Sequence, residues 1–101
     1  MRIKAATSFQ SRLCGLLGTD PRQLGFDALH LIPCGDVHTF GMRYALDIAF
    51  LDHRNRVITI CRGVRPNRLC FAPRGTASVL ERPAQKQSWV LPGDFVKGAM
   101  L

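Results

Sequence analysis

The sequence lacks a CxxC pair, a long apolar run, an internal repeat and any abundance of carboxylates. Each absence excludes something. Without CxxC, the cysteines (Cys14, Cys34, Cys61 and Cys70) form neither a zinc ribbon nor a thioredoxin-type redox pair. No stretch approaches the roughly 20 apolar residues of a membrane span. Arg2 and Lys4 could open an export signal, but Ser8, Gln10, Ser11 and Arg12 interrupt its apolar core. The expectation is a cytoplasmic protein whose reduced cysteines pack as small hydrophobes. Aromatic residues are also scarce: six Phe, one Trp and one Tyr among 101 residues.

Acidic residues are half as many as basic ones, seven against 14, leaving a formal charge of +7. The imbalance is local. Residues 54–86 carry Arg54, Arg56, Arg62, Arg65, Arg68, Arg74, Arg82 and Lys86 against Glu81 alone, which accounts for the whole excess. Arginine forks suit phosphate and carboxylate oxygens. The segment could therefore bind nucleic acid or another polyanion, with Arg62, Arg65, Arg68 and Arg74 as contacts. Against this, it contains one aromatic platform, Phe71, and no helix-turn-helix or zinc-finger spacing. A solvated basic face explains the same charge.

What is present, 47% hydrophobic and 21% charged residues, belongs to a packed chain of one-domain length, 1–101. After a short strand at 2–6, Phe9, Leu13, Leu16 and Leu17 recur with helical spacing. Thr7 or Ser8 is the expected N-cap and Gly18 the stop. The rest alternates short apolar runs with turn residues. Strands are expected at 26–34, 37–42, 45–52, 56–64 and 77–82, with a closing segment at 89–97. Gly35-Asp36 fits a hairpin turn that would return 37–42 beside 26–34. Residues 65–75, with two prolines, read as an irregular loop. The fold class expected is mainly β (α+β): one compact domain, an open β-barrel-like sheet with one N-terminal helix.

The densest chemistry runs from Pro33 to Asp47. Cys34, His38 and Met42 are soft-metal ligand types, but an extended strand spreads i and i+4 about 13 Å apart at roughly 3.3 Å per residue. Cys34 as nucleophile and His38 as base would make a hydrolase, yet nothing like a nucleophile elbow follows Cys34. Asp47, a lone charge inside ALDIAF, demands a partner. Glu81 sits similarly inside SVLER, and Arg12 could pair with either. The preferred expectation is a non-enzymatic accessory domain without a cofactor. Its polar cleft, formed by His38, Thr39, Met42 and Asp47 with Cys34 nearby, would bind a small ligand or a protein partner. Arg12 and Glu81 would be structural anchors.

Several stretches resemble domain-of-unknown-function family 192. Thr7 through Arg12 to Gly15-Leu16-Leu17-Gly18 is similar to that family's opening helix. Residues 37–52 (VHTFGMRYALDIAFLD) resemble its central motif, and Val79-Leu80-Glu81 and Gly93-Asp94 its later elements. Arg12, Gly15, Met42, Asp47 and Glu81 fall on motif positions. Ala45 stands where the family usually has Pro. The sequence after Glu81, Arg82-Pro83-Ala84, lacks the usual glycine-containing turn. The resemblance implies a compact, mostly β domain with a helix near its start, and no particular activity.

Overall fold

The computed structural model describes residues 1–97. Five strands form one open sheet, in the order β1 (Ile3–Ala6), β2 (Ala28–Leu31), β7 (Ser78–Pro83), β4 (Leu46–Leu51), β5 (Val57–Val64). β1 runs parallel to β2, and every other neighbour pair is antiparallel. β3 (Val37–His38) and β6 (Leu69–Cys70) make a separate two-stranded ribbon. The chain is mainly β, as its alternation of apolar runs and turns predicts. The five-stranded sheet keeps two edges, β1 and β5, and does not close into a barrel.

β4 explains the architecture. All six of its residues are buried, so both faces of the sheet's centre are covered. Leu46, Ile48 and Phe50 point to one face, where Leu29, Leu31, Val79, Leu16 and Val37 join them. Ala49 and Leu51 point to the other, with Ile3, Ala28, Val57, Leu80 and Val96. The segment 89–97 covers this second face, through Trp89, Val90 and Val96, without joining the sheet as a strand. Its ladder contact is the single bridge Arg56↔Phe95.

Two expectations need correction. Helix α1 (Phe9–Cys14) is a six-residue turn and ends well before Gly18. Ser8 caps it: its side chain accepts from the Ser11 amide while the Ser11 hydroxyl takes the Ser8 amide. Gly15 stops it with φ +50° and ψ −127°, a conformation that side chains rarely adopt. The side chains of Phe9, Leu13 and Cys14 lie outside the described set. The second correction concerns the hairpin at Gly35-Asp36. The Cys34 amide donates to the Ala77 carbonyl (3.0 Å), and the Asp36 carboxylate accepts from the Ala72 amide (2.6 Å). Both bonds draw the chain toward 69–77, so β3 pairs with β6 rather than with β2. The loop expected at 65–75 thus contains a strand.

Candidate ligand cavity

The turn that ends α1, the segment 34–42 and the first face of the sheet enclose a cavity of about 150 Å³. Its polar lining is Arg12, Cys34, Asp36, His38 and Glu81, and Leu16, Leu17, Phe40, Met42 and Leu46 supply most of the apolar wall. Three of the residues singled out from the sequence, Cys34, His38 and Met42, therefore share one site. Met42 joins the other two because the chain turns at Phe40-Gly41, where the Met42 amide donates to the Thr39 carbonyl (3.2 Å), which a continuous strand would not do.

Glu81 is the group that defines this cavity. In β7 it pairs with Leu29 on one side and Ile48 on the other, so its side chain faces the apolar first face. It is only 5% exposed. Among the described residues no hydrogen bond or ion pair reaches its carboxylate. Burial pushes its pKa up to about 7. Gly15 makes room for it: a Cβ there would stand 3.2 Å from Oε1. Arg12 approaches from α1, with Nη1 donating to the Pro33 carbonyl (3.0 Å) and Nε buried without a partner. The Cys34 thiol donates weakly to the Gly35 carbonyl (3.8 Å). Burial, then the charge of Glu81, raise its pKa, so it stays a thiol at neutral pH. His38 is exposed at the rim. Its Nδ1 accepts from the Phe40 amide (3.2 Å), and the two rings stack with centroids 5.1 Å apart.

Two expected cleft residues stand elsewhere. Thr39 is fully buried and clasps the loop before β6. Its hydroxyl donates to the Arg65 carbonyl (2.7 Å) and accepts from the Arg68 amide (2.9 Å). Asp47 lies on the opposite face of the sheet, because it pairs with Arg82 while its neighbour Ile48 pairs with Glu81. Its Oδ2 accepts from Arg82 Nε (2.8 Å). Its Oδ1 accepts from the Gly63 amide (2.9 Å) and meets Arg62 Nε at 3.2 Å. A register shift between Leu46 and Ile48 sets Arg62 and Gly63 opposite this one residue. Gly63, at φ +65°, takes the bulge conformation that lets its amide face the carboxylate.

The arginines divide accordingly. Arg82 is buried, stacked over Trp89 at 4.8 Å, and donates to the Gln87 carbonyl (2.8 Å). Arg62 also donates to the carbonyls of Gln85 (2.7 Å) and Gln87 (3.1 Å). Both are bonded to the fold itself, Arg82 in its interior and Arg62 at its surface. Arg65, Arg68 and Arg74 are exposed.

The sequence presents Leu17 as part of a helical apolar face and Phe40 as part of a strand, with no signal that either walls a cavity. Another missed group is His30. It is fully buried on the second face, with Nε2 2.8 Å from the Ser78 hydroxyl and Nδ1 unpartnered, and burial lowers its pKa. Among the described residues, no three His, Cys, Asp or Glu side chains cluster to hold a metal ion, and no helix is long and apolar enough to cross a membrane.

Comparison with known proteins agrees with this architecture. The family model for DUF192, described as an uncharacterised ACR, matches residues 1–97. A protein of unknown function from Novosphingobium aromaticivorans superposes with a TM-score of 0.69 at 22% identity. The match covers 83% of this chain and 64% of that one, so this chain spans less than two thirds of the relative's length. A candidate transcription regulator from Sinorhizobium meliloti also superposes with a TM-score of 0.69, at 20% identity, covering 81% of this chain and 67% of its own. At such identities the likeness is one of fold. No protein of curated function matches.

Proposed function

The chain belongs to domain-of-unknown-function family 192, and from that premise we propose that it is a non-enzymatic binding domain whose cavity beneath α1 takes a small ligand. The observation that carries this reading is Glu81, a carboxylate with 5% exposure that lines a cavity and meets no partner among the described residues. A buried polar group without a hydrogen bond costs about 1–3 kcal/mol, and more when charged. A bound group that supplies the missing hydrogen bond would recover this cost. The structural alternative, an anchor for Arg12, fares worse, since no ion pair joins the two residues.

Binding suits the lining better than catalysis. A Cys34–His38 hydrolase needs a thiolate, and burial holds the Cys34 thiol protonated. The expected cleft is thus revised: Cys34, His38 and Met42 stay, Arg12 and Glu81 move from anchors to ligand contacts, and Thr39 and Asp47 become supports. The free thiols of Cys34, Cys61 and Cys70 support a reducing, cytoplasmic setting. Screening small amines, amides and acids by two-dimensional amide NMR tests the reading. Hits should shift Gly15, Leu16, Val37 and Leu46 together. A library without hits, or hits confined to other surfaces, would end it.

A second reading concerns Arg65, Arg68 and Arg74, which surround the exposed Leu69 and Phe71. Cations interleaved with apolar groups suit an anionic partner, nucleic acid included. With Arg62 and Arg82 held internally, this surface is smaller than the charge count suggests.

A further inference from the structure

Resting on the cavity as a ligand site, we infer that its occupant is a small amino acid with an uncharged side chain, its carboxylate on Arg12 and its ammonium on Glu81. The cavity holds two polar groups of opposite sign, each short of a partner. The Arg12 guanidinium has one acceptor among the described residues, the Pro33 carbonyl at Nη1, and the Glu81 carboxylate meets no donor among them. They do not satisfy one another, for no ion pair joins them. Both groups line the cavity that also holds Cys34.

The missing partners specify the ligand's chemistry. Arg12 lacks a second acceptor and Glu81 lacks a donor. A carboxylic acid alone would leave Glu81 unpaired. An amine alone would leave Arg12 so. A molecule carrying both groups satisfies the pair, and sites built around buried hydrogen-bonding groups discriminate strongly against analogues that lack one partner. Size limits the rest. About 150 Å³ is well below the roughly 300–1,000 Å³ of pockets that hold drug-sized ligands, so the cavity itself suits a group of amino-acid size. Leu16, Leu17, Met42 and Leu46 make the remaining wall apolar and suit an aliphatic side chain.

The experiment titrates wild-type protein at pH 8, where Glu81 is largely ionised, with L-valine, isobutyrate and isobutylamine, followed by amide NMR and calorimetry. Valine should shift the Gly15, Leu16 and Val37 amides and bind at least tenfold more tightly than either single-function analogue. Arg12→Gln and Glu81→Gln should each remove that preference. If an analogue binds in the cavity as tightly as valine, the amino-acid inference is overturned while the cavity survives as a ligand site. If none of the three shifts those amides, the inference fails. If the wider screen of amines, amides and acids also leaves them unmoved, the ligand site itself fails. Because the three ligands are compared on wild-type protein, the outcome does not depend on either variant folding.

Discussion

Two carboxylates in neighbouring strands show how much one residue's direction decides. Asp47 and Glu81 are both almost fully buried, yet Asp47 meets two guanidinium groups and an amide while Glu81 meets none among the described residues. For Glu81 the consequence is a stability that depends on pH. Its folded pKa, about 7, lies above the ordinary value of 4.5. Between those values the folded protein keeps a proton that the unfolded chain has released. The contribution of Glu81 is therefore greatest below about pH 4.5, falls as pH rises to 7, and is level beyond. The contribution lost is about 3 kcal/mol. Glu81→Gln should remove this slope and leave the variant more stable than wild type at pH 8. Urea denaturation at pH 5 and pH 8 measures it. A wild-type slope unchanged by the substitution would show that Glu81 ionises freely in the fold.

Among the elements, the junction of β4, β5 and β7 depends on the Asp47 cluster. One carboxylate holds Arg82 of β7 and the bulge of β5 to β4, the strand between them. Asp47→Ala would leave the Arg82 guanidinium buried without its counter-charge, a loss of about 3–5 kcal/mol. Arg62→Ala removes a partner whose side chain is 38% exposed and should cost about 1 kcal/mol or less. Thermal melts of the two variants check the ranking, and equal losses would contradict it. Thr39 performs a similar task for the ribbon, fastening the segment before β6 to the residue that follows β3.

For the whole molecule, the radius of gyration of 12.1 Å is close to the roughly 13 Å of a packed chain of 100 residues. On this scale the charge of +7 changes meaning. Arg62 and Arg82 are bonded internally around Asp47, and the cavity lies on the opposite face of the sheet from them. Of the segment's cations, Arg54, Arg56, Arg65, Arg68, Arg74 and Lys86 are exposed, and Arg65, Arg68 and Arg74 flank β6. Replacing these three by Ser should lower the salt concentration that elutes the protein from heparin. Replacing Arg62 alone should hardly move it. If the triple variant elutes like wild type, the loop is not an anion-binding surface.

Much of the fold was legible in advance. The apolar runs around β1, β2, β4, β5 and β7, an N-cap at Thr7 or Ser8, and the need of Asp47 for partners follow from residue types and local spacing. So does the family resemblance carried by residues 37–52. The pairing of β3 with β6, the early end of α1 and the identity of each carboxylate's partners were not legible. The reason is physical. In a strand buried on both faces, such as LDIAFL or SVLERP, polarity does not alternate, so nothing local says which face Asp47 or Glu81 will take. Ladder register decides it, and register depends on contacts distant in the chain. By itself the sequence determined that two carboxylates would be buried. Tertiary structure decided that one would be neutralised by arginines and the other left at a cavity, because only the assembled sheet sets which side chains each can reach.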